Sequence, residues 1–207
     1  PFGDFYVPYA ISSDAAGNIF VSLVSNSVGA GIKKIDATGA ISDFAPKGAE
    51  TFWSGLQVAP DGSIIATRNV RALFQIPAGG GPAATWVVLA DRAAKLVAMD
   101  YDKDGNLWAA GDNPKVYSIK PDKSVNSFDF VGNIRATRVF SGALYLGGAR
   151  DGNEKVWRVP IVSADQVGAD EEIFDFTAQF PGKRIFSIEF AADGDMYIGT
   201  DDDTGIV

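Results

Sequence analysis

The sequence predicts an all-β protein built from one antiparallel unit that repeats along the 207-residue chain. The first observation behind this prediction is a pattern of hydrophobic run, tight polar turn and second hydrophobic run, which occurs five times. Each turn contains a glycine, and glycine readily adopts the positive φ that a tight hairpin needs. These glycines are Gly17, Gly62, Gly105, Gly142 and Gly194. Their spacing of roughly 40–50 residues is typical of repeats whose unit is a small sheet.

A third and a fourth hydrophobic run follow each of the first four turns. In the third run, two apolar residues three apart bracket an aromatic or long side chain, at 32–35, 73–76, 116–119 and 156–159. The fourth runs are 41–44, 85–89, 125–128 and 172–176. One unit is therefore four short strands, A to D, and a meander of four strands is the signature of a propeller blade.

The fold prediction is a single β-propeller domain over residues 1–207, with about four and a half blades. The blades are expected at 9–46, 52–90, 95–131, 133–180 and, in part, 184–207. Because an open ring would expose strand edges, this count predicts a fragment of a ring of five to seven blades, with six as the leading number. The alternative is closure by residues 3–7 as the last strand of blade five, with a very short third strand at 205–207.

Two further structural expectations follow from the repeat. One helical turn is expected within 163–172, with Ser163 as its N-cap. Aromatic residues that recur at the same strand position are expected to pack in the core between blades. They are Phe20, Phe74, Trp108, Tyr117, Tyr145, Trp157 and Tyr197.

Composition limits the classes of function. Hydrophobic residues are 46% and charged residues 21% of the chain, as in ordinary folded proteins. The net charge of −8 argues against a nucleic-acid-binding surface, which is usually basic. No apolar run approaches the ~20 residues of a membrane-spanning helix, so no membrane insertion is expected. The absence of cysteine and histidine removes thiol nucleophiles, the commonest general base and the commonest transition-metal ligand.

The hairpins at 14–20 and 102–108, each followed by a third strand and an Asp- or Pro-containing turn, resemble those of NHL-type and gluconolactonase-like propellers. The resemblance covers nearly the whole chain. It implies a family of sugar-acid lactonases, lyases and binding scaffolds, and by analogy a secreted or periplasmic location. The lyase branches use histidines that this sequence lacks, and the lactonase set of Glu, two Asn and Asp finds no match. No catalytic residue is assigned, so the chain is expected to be a binding protein rather than an enzyme.

Six of the eight arginines fall in predicted B–C loops or blade crossovers, around the expected mouth of the central channel. Because the guanidinium fork suits carboxylate and phosphate groups, this pattern predicts recognition of an acidic small molecule, a glycan or a protein partner. The alternative is that these arginines form surface ion pairs with Asp112, Asp151 and residues 201–203, which contribute little. The candidate ligand-binding residues are Arg68, Arg71, Arg135, Arg150 and Arg184, with Trp53 and Tyr9 as stacking partners.

One turn has the beginning of a calcium loop. Asp100, Asp102 and Asp104 alternate before Gly105, but the later acidic ligand is missing. Ca²⁺ is thus the one candidate cofactor, and a plain hairpin with solvated aspartates is the alternative. The other functions left open are a metal-dependent hydrolase or lactonase of the gluconolactonase-like type, and a structural module of a surface assembly.

Overall fold

The computed structural model describes residues 8–23, 31–46 and 53–200. The chain divides into two compact units, Pro1–Arg92 and Ala93–Val207. The interpretation as a single propeller domain, and the number of blades in its ring, stay predictions. The strands proposed at 3–7 and 205–207, and the acidic residues 201–203, lie outside the described residues. Within the described ranges, no helix has the length and apolar character to cross a membrane.

The first unit contains two four-stranded antiparallel sheets, each in sequence order. The strands of the first sheet are β1 (Pro8–Ser13), β2 (Ile19–Leu23), β3 (Gly31–Ile35) and β4 (Ile41–Pro46). Those of the second are β5 (Gly55–Val58), β6 (Ile64–Thr67), β7 (Ala72–Ile76) and β8 (Ala84–Val88). The predicted four-stranded meander is confirmed in both sheets.

The second unit repeats this arrangement. One sheet contains β9 (Leu96–Tyr101), β10 (Leu107–Gly111), β11 (Lys115–Ile119) and β12 (Val125–Asp129). The next contains β13 (Asn133–Phe140), β14 (Ala143–Arg150), β15 (Asn153–Ser163), β16 (Gln166–Val167) and β17 (Glu171–Asp175), with β16 and β17 both paired to β15. A last pair contains β18 (Ile185–Phe190) and β19 (Met196–Thr200).

The predicted helical turn within 163–172 is wrong. The long strand β15 continues to Ser163 and folds back into β16, with Ile161 opposite Val167. Strand pairing already provides hydrogen-bond partners for this part of the backbone. The helical turn instead lies further along the chain, as α1 (Phe176–Gln179). The carboxylate of Asp175 caps α1 by accepting a hydrogen bond from the backbone N–H of Ala178 at 2.9 Å.

The hairpin turns form as their residues predict. In the first turn, the Asp14 carboxylate accepts bonds from the backbone N–H groups of Ala16 and Asn18, and Gly17 has a φ of 81°. The hydrogen bond from the Asn18 side chain holds the pKa of Asp14 below its usual value. The third turn repeats this pattern with Asp102 and a φ of 81° at Gly105. These Asx turns explain why short local sequences specify the hairpins.

Repeated aromatic residues fill the core of each unit. In the first unit Phe20 is buried and packs edge-to-face on Phe44 at 4.8 Å between ring centroids. In the second, Trp108, Tyr117 and Trp157 are at most 2% exposed. Tyr197 is the exception, because it is 46% exposed on β19. The expectation of a core position is therefore wrong for that residue.

Candidate functional site

Arg68 lies directly after β6, with its guanidinium group on two aromatic rings. The guanidinium carbon is 3.6 Å from the centroid of Phe74 and 4.9 Å from that of Trp53. These rings meet edge-to-face at 5.6 Å, and Trp53 is 3% exposed. Burial lowers the pKa of the Arg68 guanidinium below its usual value, although an arginine stays charged at neutral pH. The structure thus brings together two of the predicted ligand-binding residues.

Arg71 is the second cation of the same β6–β7 turn. Its Nη1 donates a hydrogen bond to the Leu89 carbonyl at 3.1 Å, and the Leu89 N–H returns one to the Arg71 carbonyl at 2.9 Å. Between the two arginines, Asn69 has a φ of 55° and its N–H bonds to Ser54 Oγ at 2.8 Å. Within the described ranges, the Arg71 guanidinium has no acidic partner. We call residues 68–71 the arginine turn.

Arg135, in the second unit, is neutralised by a carboxylate that the sequence did not indicate. Its Nη2 forms an ion pair with Glu154, and its Nε donates to the Ile185 carbonyl at 3.0 Å. The other Glu154 oxygen accepts the Ile185 N–H at 3.1 Å. The side chains of Arg135 and Glu154 are 17% and 11% exposed. This pair therefore joins β13, β15 and β18, and the Arg135 charge is already compensated.

Arg150 is held in a similar way. Its Nε donates to the Val131 carbonyl at 2.6 Å and its Nη1 contacts Asp170 at 2.8 Å. The guanidinium carbon lies 4.4 Å from the centroid of Phe130 and 4.6 Å from that of Trp157. Asp170 was not among the expected partners.

The other predicted residues lie on other elements of the fold. Arg184 is exposed, directly before β18, and Tyr9 is 49% exposed on β1. Asp112, one of the expected partners, instead approaches Lys95 at 3.8 Å.

The three aspartates of the predicted calcium loop have separate partners. The Asp102 carboxylate accepts hydrogen bonds from Trp108 Nε1 and Asn106 Nδ2, each at 2.9 Å. It also accepts from the backbone N–H groups of Asp104 and Asn106. Asp104 pairs with the neighbouring Lys103 at 2.8 Å. Asp100 is buried and accepts the Val139 N–H at 2.8 Å. Across the described ranges, no group of three or more acidic, cysteine or histidine side chains could hold a metal ion.

Asp100 belongs instead to a charged network that links β9, β13 and β18, the first strands of three successive sheets. Arg138 on β13 lies 3.3 Å from Asp100 on β9 and 2.7 Å from Glu189 on β18. Burial raises the pKa of Asp100 above 3.8, while the Arg138 charge and the Val139 N–H oppose this shift. We call Asp100, Arg138 and Glu189 the strand-A network.

The repeat register contains the signal that could have revealed this network. Asp100 and Glu189 each lie five residues before their turn glycines, Gly105 and Gly194, and Arg138 lies four before Gly142. In the first unit, Ser12 and Gln57 have the same five-residue offset and approach each other at 3.4 Å. There the Val58 N–H bonds to Ser12 Oγ at 3.2 Å, as the Val139 N–H bonds to Asp100.

Repeated four-stranded antiparallel meanders, with polar groups linking successive first strands, place the chain among propeller-like all-β proteins. No protein-family model matches the sequence. No curated protein matches it either. Solved structures of similar fold do match it.

Several solved structures share the fold at low sequence identity. Virginiamycin B lyase from Staphylococcus aureus matches with a TM-score of 0.70 and 17% identity, over 97% of this chain and 68% of the lyase. A gluconolactonase-like protein matches with a TM-score of 0.73 and 15% identity, over 96% and 75%. A luciferin-regenerating enzyme matches with a TM-score of 0.70 and 15% identity, over 95% and 69%. The resemblance to gluconolactonase-like propellers is confirmed at the level of the fold.

Proposed function

We propose that this chain is a ligand-binding β-propeller that recognises an acidic small molecule or acidic glycan at the arginine turn. The observation that carries the proposal is the state of Arg71, which a backbone carbonyl holds in place and which has no acidic partner in the described part of the chain. Arg68 adds a second cation, fixed on two rings. Guanidinium groups that are already ordered lose little entropy when they bind a carboxylate or phosphate.

The proposed site includes fewer arginines than the arginine-rich channel mouth that the sequence predicted. Arg135 and Arg150 each have a carboxylate partner, so an anionic ligand would have to displace Glu154 or Asp170. Displacement of Glu154, whose side chain is 11% exposed, would leave a largely buried carboxylate without its partner, which is costly. The arginine turn has no such competitor at Arg71.

Isothermal titration with glucuronate, galacturonate and glucose 6-phosphate tests the proposal. We expect Arg71→Ala to weaken binding of the preferred acid by at least about tenfold, since a charge-assisted hydrogen bond contributes roughly 1.5–3 kcal/mol. Arg68→Lys keeps the charge but removes the planar fork, and a smaller loss is expected. Arg158→Ala on β15 is the control. Equal affinity of Arg71→Ala, Arg68→Lys and the unchanged protein would reject the site.

A metal-dependent hydrolase or lactonase is the second candidate, favoured by the fold shared with the gluconolactonase-like protein. In this proposal Ca²⁺ is the candidate cofactor, although Asp100, Asp102 and Asp104 have separate partners and form no metal-binding group within the described ranges. Lactone hydrolysis that requires calcium and stops with a chelator would establish the enzyme. If neither calcium nor the chelator changed the melting temperature, the metal-dependent enzyme would be rejected.

The lyase reaction receives less support. The catalytically inactive form of the S. aureus lyase, solved with quinupristin, carries a His-to-Ala replacement. The present sequence contains no histidine that could correspond to it.

We infer a ring of five to seven blades, six being the leading number, in an extracytoplasmic protein. A role as a structural module of a surface assembly is retained as an alternative. If neither acids nor lactones interact with the chain, a protein partner would be the next candidate.

A further inference from the structure

A pocket of about 400 Å³ opens in the second unit, between the β9–β10 turn and the β13–β14 turn, with the end of β15 as a third wall. Ligand pockets in proteins are roughly 300–1,000 Å³, so this volume suits a small molecule. The β13–β14 turn lies at the opposite end of β14 from Arg150, and neither arginine of the arginine turn contributes to the pocket. The pocket therefore shares no lining residue with the proposed acid-binding site.

The charged groups at the rim of this pocket are already compensated. Asp102 accepts hydrogen bonds from the side chains of Asn106 and Trp108 and from two backbone N–H groups. Asp104 is bound by Lys103 through both carboxylate oxygens, at 2.8 and 2.9 Å. A charged ligand would compete with the Lys103–Asp104 pair, and so the rim favours a neutral, hydrogen-bonding ligand.

The rest of the pocket combines apolar surface with hydroxyl groups. Phe140 stacks on Phe190 with 4.3 Å between centroids and 5° between planes, which covers one face of its ring and fixes its orientation. Val162, on the facing strand, is 61% exposed. Ser141 and Ser163 place hydroxyls at the edge, and Ser163 Oγ accepts only from the Asp165 N–H, at 3.1 Å, in the described ranges.

We propose that this pocket binds a neutral saccharide. A sugar ring presents C–H groups on its faces, which match an immobilised aromatic ring and aliphatic walls. Its hydroxyls lie around the edge, where they can donate to Asp104 and exchange hydrogen bonds with the serines. An apolar ligand would offer no hydrogen bond to the hydroxyls of Ser141 and Ser163, and an ion would compete with the Lys103–Asp104 pair.

The test is titration calorimetry with four neutral trisaccharides: maltotriose, cellotriose, mannotriose and chitotriose. Val162→Trp should fill the pocket and reduce the affinity for the bound sugar more than tenfold. Phe140→Leu keeps an apolar side chain but removes the flat ring, and should also reduce affinity several-fold. Val131→Trp is the matched control, because Val131 is 65% exposed and does not line the pocket.

Because Val162 is exposed, its replacement should leave the fold intact even if Phe140→Leu does not. Retained sugar binding by Val131→Trp and Arg71→Ala, with loss in Val162→Trp, would support the pocket and separate it from the acid site. The proposal is overturned if no trisaccharide binds the unchanged protein at millimolar concentration. Full affinity in Val162→Trp, or stronger binding of spermidine than of any sugar, would also overturn it.

Discussion

Removal of the Glu154 carboxylate should destabilise the second unit strongly. Glu154→Ala leaves Arg135, whose side chain is only 17% exposed, without its ion partner and removes the acceptor of the Ile185 N–H. Loss of one member of a buried pair costs about 3–5 kcal/mol. The residual exposure of this pair places the expectation near the lower end, at about 3 kcal/mol, a large part of the roughly 5–15 kcal/mol that stabilises a domain.

Urea unfolding followed by tryptophan fluorescence measures this free energy. The control is Asp129→Ala, which removes the carboxylate from the Lys115–Asp129 pair, where Asp129 is 90% exposed. A surface pair of this kind contributes about 0–1 kcal/mol. The double variant Arg135→Met/Glu154→Leu should recover most of the loss, since it leaves no uncompensated charge. If Glu154→Ala and Asp129→Ala lowered the free energy of unfolding equally, the role assigned to Glu154 would be refuted.

Three further changes have defined outcomes. Burial raises the pKa of Asp100 in the folded state above 3.8. As pH falls, the folded protein therefore binds a proton at Asp100 before the unfolded chain does. The contribution of Asp100 to the free energy of unfolding should consequently increase as pH falls from the raised pKa to 3.8. Relative to Asp100→Asn, which does not titrate, the unchanged protein should gain stability across that window in urea melts; no relative change would contradict the burial effect. Gly148→Ala would push a methyl group into the Asn133 carbonyl oxygen, and should cost at least about 1–3 kcal/mol by thermal melt. Gly79→Ala, with open space around it, should change stability by less than about 1 kcal/mol.

The strands and hairpins were predictable because their determinants are local. Asp102 and Gly105 specify their turn through hydrogen bonds and backbone conformation within five residues. The helical turn expected within 163–172 failed because Ile161 and Val167 pair in a sheet, and this pairing overrides the weak helical tendency of a polar segment. Local chemistry therefore predicts turns better than it predicts what a long connection will do.

The candidate sites depend on contacts between residues that are distant in sequence. Arg135 was a candidate for ligand binding because of its position in the repeat, yet it is neutralised by Glu154, 19 residues later. The bond from the Val139 N–H to Asp100 joins residues 39 apart. Only the repeat register carries part of this information, since Asp100, Arg138 and Glu189 lie four or five residues before successive turn glycines.

The most direct test of the proposed function is the shift in melting temperature of the unchanged protein and Arg71→Ala with glucuronate, galacturonate and glucose 6-phosphate. A ligand at 100 times its Kd adds about 2.7 kcal/mol to the native state, or roughly 5–11 °C for a chain of this size. We expect one acid to raise the melting temperature of the unchanged protein by this amount and that of Arg71→Ala by about half as much or less, since a ligand bound tenfold more weakly adds only about 1.4 kcal/mol. Equal shifts in the two proteins, or no shift with any acid, would contradict recognition of an acidic ligand at the arginine turn.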